Sequence, residues 1–240
     1  MNTSEEYIDV NGLIVKVVRT DIKNTHISIH PPEGHLRIAV PYNISEEAVR
    51  LAIISKLNWI KEKQKSFKDQ LRQSEREYIT GESHYFLGRR YLLDLNYTDN
   101  EPNVIIKNNH RLNLLTSQDA TKEQRELIMT KWYKDEMNKL LIPLVDKWQN
   151  KIGIDIDSYN IRKMKTKWGS CNHDQKRILL NLELVKKPVH CLEYVLVHEM
   201  IHFLENTHNT VFVFYMDKFL PQWRTIKKEL NQLPLADEVW

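Results

Sequence analysis

The first forty residues alternate between apolar and polar positions in the manner of β-strands. Apolar side chains recur in three short runs, which are separated by the turn residues Asn11-Gly12 and by residues 31–34. Alternation of this kind between turn segments is typical of short antiparallel strands. The pattern therefore predicts a β-meander over residues 7–40.

The spacing of the apolar positions changes at Ser45. From there the apolar residues recur at helical intervals, and Ser45 itself fits the N-cap of a helix. The pattern predicts a helix that continues through a polar stretch to Arg76. Residues 78–115 return to strand patterns, and the segments 86–95 and 104–115 predict two hairpins.

The second half of the chain has mainly helical spacing. Thr121 and Gln124 fit a capping box at the start of an amphipathic helix, and Gly153 fits its end. Short strands are predicted at 156–163 and 177–184, followed by a helix that Pro188 opens and by helices over 210–220 and 221–231. We expect an α+β protein with a β-rich part and one helix over residues 1–115, and a helical part over residues 116–240.

Composition narrows the class of protein. The chain is 41% hydrophobic and 28% charged, which is typical of globular proteins. Cys171 and Cys191 are too few to build a disulfide framework. The N-terminus has no basic segment followed by an apolar one, and no apolar run approaches about 18 residues. We expect a soluble, cytoplasmic protein with no membrane partner.

His198-Glu199-Met200-Ile201-His202 is the sharpest chemical signal in the sequence. On a helix His198 and His202 lie one turn apart on one face, so both imidazoles can reach one zinc ion. Glu199 is rotated by about 100° and can instead take a proton from a water that the metal activates. The motif predicts one catalytic Zn²⁺ per chain, although other divalent metals also bind such sites.

A catalytic zinc site needs a third protein ligand, and Glu205 and His208 are the candidates. Glu205 shares the ligand face, but on a continuous helix it would lie about 10 Å beyond His198. A turn over residues 205–207 would end the helix and return His208 to the metal. The spacing of the three histidines is that of metzincins, although Glu205 stands where they have glycine. We favour His208 as the third ligand and keep Glu205 as the alternative.

Residues 161–190 carry a local excess of positive charge. The segment holds eight basic and two acidic residues, whereas the net charge of the whole chain is +3. Such a segment can attract an anionic substrate or stabilise an oxyanion, and the stretch Ile178–Leu184 can align an extended peptide. The candidate substrate or oxyanion residues are Arg162, Lys165, Trp168, Ser170 and Asn181.

Four stretches of the sequence resemble the YgjP-like metal-dependent hydrolases, which are relatives of the SprT-like and WLM zinc metalloproteases. These stretches are RKMKTKWGSC, ILLNLELVKKP, EYVLVHEMIH and NTHNTVFVF. The resemblance covers nearly the whole chain. It implies that His198, His202 and His208 bind zinc and that Glu199 is the catalytic base. Together with the motif it leads us to expect a zincin-like C-terminal part.

The same resemblance implies that residues 168–171 and 178–184 lie beside the site. The chain departs from the family pattern at two positions. Lys167 stands where the family usually has arginine, which weakens bidentate recognition because lysine lacks the planar fork. Val213 stands where the family usually has tryptophan, and we interpret this as a packing change.

Three functions are compatible with these residues. The favoured one is a zinc-dependent metallopeptidase that cleaves peptide or protein substrates with Glu199 as general base. The second is a nucleotide hydrolase that uses the same site on a phosphoanhydride, because the basic segment suits an anionic substrate. The third is a non-catalytic nucleic-acid-binding module with a structural zinc and the basic segment on the phosphates.

Overall fold

The computed structural model of the 240-residue chain describes residues 4–30, 34–69, 76–164 and 167–232. These residues form two compact units. Those up to Asp69 belong to the first unit, and those from Arg76 to Gln232 belong to the second. Within the described ranges, no helix combines the length and the apolar character that a membrane crossing requires.

The first unit contains a four-stranded sheet and two helices. Its elements are β1 (Ser4–Val10), β2 (Leu13–Arg19), β3 (His26–His30), β4 (His35–Val40), α1 (Glu46–Ser55) and α2 (Leu57–Asp69). The strand order is β1-β2-β4-β3, with β2 and β4 parallel and the other pairs antiparallel. The predicted meander is therefore wrong. β4 takes a central place because Leu36, Ile38 and Val40 are all buried, whereas β3 carries polar residues that suit an edge.

The helix predicted from Ser45 is divided into two. Its start is confirmed, because the Ser45 hydroxyl accepts a hydrogen bond from the backbone N–H of Ala48 at 3.2 Å. Helix α1 ends at Ser55, and Lys56 separates it from α2. The predicted continuation to Arg76 is wrong at its end, since Arg76 is not helical. Residues 70–75 lie outside the described residues.

The second unit begins with a sheet that has the same strand order as the first. Its strands are β5 (Ser83–Phe86), β6 (Arg89–Tyr97), β7 (Asn103–Lys107) and β8 (Arg111–Thr116), in the order β5-β6-β8-β7. β6 and β8 are parallel, and the pairs β5/β6 and β7/β8 are antiparallel. Both predicted hairpins are confirmed. The order of strands thus recurs in two sheets although the sequence shows no repeat.

Helix α3 (Lys122–Ile152) follows this sheet and is delimited as predicted. The side chain of Thr121 accepts from the backbone of Gln124, whose side chain accepts from the backbone N–H of Thr121. Gly153 ends the helix in the left-handed conformation, with φ at +80°. This is the conformation that glycine adopts without strain at a helix C-terminus.

The sheet β5–β8 shares its core with helix α3. The rings of Phe86 and Trp132 lie 4.9 Å apart, and the Tyr133 hydroxyl donates to the carbonyl oxygen of Tyr85 at 3.0 Å. The boundary between the two compact units therefore lies before this sheet, whereas the sequence predicted a boundary between residues 115 and 116. The difference arises because the apolar face of α3 packs on strands that precede it.

A small sheet and three helices complete the second unit. They are β9 (Ser158–Arg162), β10 (Gly169–Asn172), β11 (Arg177–Asn181), α4 (Val189–Ile201), α5 (Thr210–Phe219) and α6 (Trp223–Gln232). The sheet order is β10-β11-β9, with β10 antiparallel and β9 parallel to β11. Strand β10 is absent from the predicted elements, because four residues are too few to show alternation. The α+β class, with a β-rich first half and helices later, is confirmed.

Candidate metal centre

Helix α4 carries the His-Glu-x-x-His motif at its C-terminal end. Most of the helix is buried, including Cys191, Leu196 and Met200, and this burial fixes its rotation against the rest of the unit. The helix ends at Ile201, so His202 is its C-cap residue. The backbone N–H of His202 still bonds to the carbonyl oxygen of His198, which keeps the two histidines one turn apart. The helix thus ends earlier than the predicted turn at residues 205–207.

The turn between α4 and α5 brings His208 back to the motif. Its conformation is held by the carboxylate of Glu205, which accepts from the backbone N–H and the hydroxyl of Thr207 at 3.0 and 2.9 Å. The side chain of Asn209 accepts from two backbone N–H groups in the first turn of α5. His208 therefore lies between Glu205 and Asn209, whose side chains fix the backbone of the turn.

His198, His202 and His208 form a cluster that fits a divalent metal ion. One ring nitrogen from each lies within 4.8 Å of the others, and the Nε2 atoms of His198 and His208 are 3.0 Å apart. Two imidazole nitrogens that share a tetrahedral zinc ion at about 2.0–2.1 Å lie roughly 3.3 Å from each other. The cluster includes His208 and leaves out Glu205.

Hydrogen bonding and burial prepare these imidazoles to act as ligands. Nδ1 of His202 donates to the carbonyl oxygen of Glu205 at 3.1 Å, so the lone pair of this ring lies on Nε2. Burial lowers the pKa of His198 to about 3, with His202 and His208 adding to the effect, and burial also lowers the pKa of His202. A metal ligand must be the neutral imidazole. His198 and His202 are thus in the ligand form at neutral pH.

Phe212 supports all three histidines. Its ring lies 4.9, 4.8 and 4.7 Å from the rings of His198, His202 and His208, and the side chain is buried. Phe212 is not among the candidate site residues that the sequence suggested. Its position in the first turn of α5 gives no local signal of this role, because the contacts join two helices.

Glu199 is buried against Gly169, the first residue of β10. A Cβ atom at Gly169 would lie 2.8 Å from both Cγ and Oε1 of Glu199, so only glycine allows this approach. Burial raises the pKa of the Glu199 carboxyl to about 7, and the ammonium of Lys167 opposes that shift. A carboxyl group with such a pKa can accept and return a proton near neutral pH. The contact joins residues 30 positions apart, so no local pattern in the sequence could indicate it.

Trp168 and Ser170, two of the predicted substrate residues, line cavities beside the histidines. Trp168 lines a cavity of about 530 Å³, and Ser170 lines a second one of about 390 Å³. Glu199, His198 and His208 contribute to the walls of both. The cluster is therefore open to a substrate from two neighbouring spaces.

Of the other three predicted substrate residues, Arg162 and Asn181 do not line these two cavities. Arg162 is exposed on β9 and is not among the residues that line the two cavities. Lys165 lies outside the described residues. Asn181 is buried, and its side-chain N–H groups donate to the carbonyl oxygens of Met164 and Lys167 at 2.8 and 2.9 Å. Its amide thus holds the backbone that leads into Trp168, which is a positioning role.

A family model described as YgjP-like, metallopeptidase domain matches residues 25–233. The chain belongs to the YgjP-like family. It is therefore a metal-dependent hydrolase, and its family supports a metal-dependent peptidase.

This YgjP-like chain matches no curated protein. Among solved structures it is similar to the metallopeptidase zymogen of Pyrococcus abyssi abylysin, with 19% identity and a TM-score of 0.35 over 37% of this chain and 89% of that one. It is also similar to the metallopeptidase zymogen of Methanocaldococcus jannaschii jannalysin. That match has 26% identity and a TM-score of 0.31 over 42% of this chain and 94% of that one.

Because we expect Glu199 to be the catalytic base, replacing Gly169 by alanine in this YgjP-like protein is expected to lower kcat by about 100-fold, which is the effect of a displacement of about 1 Å at such a group. The added methyl group must push the Glu199 carboxylate away. The metal content should not change, since the three histidines lie on α4 and in the turn after it. Peptide cleavage and bound zinc are measured on the same preparation. A wild-type kcat in this variant would mean that the close contact between Gly169 and Glu199 does not position the carboxylate for the reaction.

Proposed function

We propose that this YgjP-like protein is a zinc peptidase in which His198, His202 and His208 hold the ion and Glu199 is the general base. The observation that carries the proposal is the convergence of three ring nitrogens within 4.8 Å, next to a buried carboxyl group. When bound, a zinc ion polarises the carbonyl group of a substrate and makes water more acidic. The residues of the chain supply the proton transfers and the alignment of the peptide.

Glu199 is placed to move the proton. Its side chain lines both cavities, so it faces the space in which a peptide and a water molecule would meet. The carboxylate takes a proton from the water as the new C–O bond forms at the peptide carbonyl carbon. It returns that proton to the leaving nitrogen as the C–N bond breaks, which leaves Glu199 in its starting form.

Strand β10 is the element best placed to align an extended peptide. The stretch Ile178–Leu184 was expected to do this, but β11 is paired with β10 on one side and with β9 on the other. In the part of the chain that the structure describes, β10 pairs only with β11, so its outer edge has backbone groups available for a further strand. Because Gly169 of β10 touches Glu199, a peptide on this edge would pass beside the base.

The larger cavity suits a peptide side chain. Tyr194, Val195, Phe212 and Leu230 make part of its wall apolar, and Lys227 also lines it. An apolar wall that faces placed polar groups is typical of pockets that bind an organic side chain. The family assignment supports peptide or protein substrates, and it gives no support to the nucleotide or nucleic-acid alternatives.

Removing the metal is expected to abolish peptide cleavage, and refilling the cluster of three histidines with Zn²⁺ should restore it, because this cluster is assigned to the reaction. The assay uses a library of quenched fluorescent peptides, with nucleoside triphosphates incubated in parallel. We expect the triphosphates to remain intact. Hydrolysis of the triphosphates alone, or full peptide cleavage by the metal-free protein, would contradict the proposal.

A further inference from the structure

A second group of potential metal ligands lies at the opposite end of α4. His190 and Cys191 belong to the first turn of this helix, and Glu229 belongs to α6. One ligand atom from each lies within 4.8 Å of the others. Cys191 precedes His198 by seven residues, which corresponds to about 10 Å along a helix. The two groups of ligands are therefore separate.

The three side chains form a cluster with a buried end and an open end. Cys191 is fully buried, whereas the side chains of His190 and Glu229 are 46% and 41% exposed. Nε2 of His190 and a carboxylate oxygen of Glu229 are 2.7 Å apart. An ion can thus enter from solvent and meet the thiol at the base of the cluster.

The geometry points to a second metal site, in which His190, Cys191 and Glu229 bind a divalent cation of the zinc type. Thiolate, imidazole and carboxylate are the three kinds of ligand that zinc accepts in proteins. The sulfur favours zinc over harder ions such as Mg²⁺ and Ca²⁺, which prefer oxygen ligands. The nearby Lys187 opposes a cation, and burial lowers the pKa of its ammonium to about 8, which weakens this repulsion without removing it at neutral pH.

A metal ion in this second site would join α6 to α4. Helix α6 also carries Lys227 and Leu230, which line the larger cavity beside the first site. Glu229 lies between these two residues, so an ion bound to it would hold this wall of the cavity in place. The ion is therefore expected to stabilise the protein and the cavity wall without taking part in the reaction.

The two cysteines of the chain make a matched test possible. The full-length protein is stripped of metal and titrated with Co²⁺, whose bond to a thiolate gives a sulfur-to-metal charge-transfer absorption in the near ultraviolet. We expect this absorption in the wild type and in Cys171→Ser, and we expect Cys191→Ser to lose it. Zinc binding should likewise fall by about one ion per chain in Cys191→Ser alone.

Two further variants keep the test decisive if Cys191→Ser folds poorly. His190→Ala and Glu229→Gln keep the thiol and should weaken Co²⁺ binding at this site at least tenfold, because even the groups that only orient a ligand have effects of about 10–100-fold. Loss of the absorption in Cys171→Ser instead of Cys191→Ser would overturn the inference, as would its absence from the wild type. Since the readout is optical, the result does not depend on whether the first site cleaves peptides.

Discussion

The Glu199→Gln variant is expected to cleave peptides about 10²–10⁴-fold more slowly than the wild type while it keeps its metal, because this is the usual contribution of a positioned general base. Glutamine has nearly the same shape as glutamate, so it fits the space beside Gly169. Its amide cannot accept the proton of the attacking water. The measurements are kcat/KM on a cleaved peptide and zinc content by elemental analysis.

Glu193→Gln is the matched control for this variant. It makes the same substitution on the same helix, but Glu193 accepts hydrogen bonds from Lys147 and from the Trp148 ring N–H. Glutamine retains an oxygen acceptor for both donors, so we expect wild-type activity. Wild-type activity in Glu199→Gln would mean that another group is the base. Loss of zinc in Glu199→Gln would mean that this side chain acts on the metal site.

The His208→Ala variant is expected to bind zinc more than about 100-fold more weakly than the wild type, since removal of a direct ligand should exceed the 10–100-fold effect of groups that only orient ligands. Nε2 of His208 lies 3.0 Å from Nε2 of His198. No residue beside it in the turn offers a ligand atom to the cluster in the part of the chain that the structure describes. Zinc affinity is measured by competition with a chromophoric chelator.

Glu205→Gln separates the two candidate third ligands. The carboxylate of Glu205 bonds to Thr207 instead of lying in the cluster, and glutamine keeps an oxygen that can accept these bonds. We expect Glu205→Gln to retain its zinc. If Glu205→Gln loses zinc and His208→Ala retains it, the third ligand is Glu205. If both variants bind as many zinc ions as the wild type, His208 and Glu205 are both dispensable for zinc binding and the proposed ligand set is wrong.

Local signals in the sequence predicted the helices and the hairpins well. The capping box at Thr121 and the glycine at 153 gave both ends of α3, because caps depend on residues within a few positions of each other. The i and i+4 spacing of His198 and His202 has the same local origin. The predicted third histidine, His208, also lies in the cluster, although this required a turn that the spacing alone does not determine.

Features that depend on distant contacts could not be predicted. The order of strands places β4 between β2 and β3, which follows from burial of a whole strand and not from its alternation. The contact between Gly169 and Glu199 and the packing of Phe212 under three imidazoles join separate elements. The mistaken expectation for Ile178–Leu184 has the same cause, since a strand pattern does not show which edges remain unpaired.

The turn that carries His208 is ordered by the chain itself. Glu205, Thr207 and Asn209 hold it with hydrogen bonds among their own side chains and backbone. Ordering a loop between two ligands lowers its conformational entropy. Here the loop is ordered when the chain folds, so metal binding does not have to order it. Metal binding then selects among few conformations. A preorganised site of this kind gives high affinity with little structural change, so the metal-free protein is expected to keep its three imidazoles together.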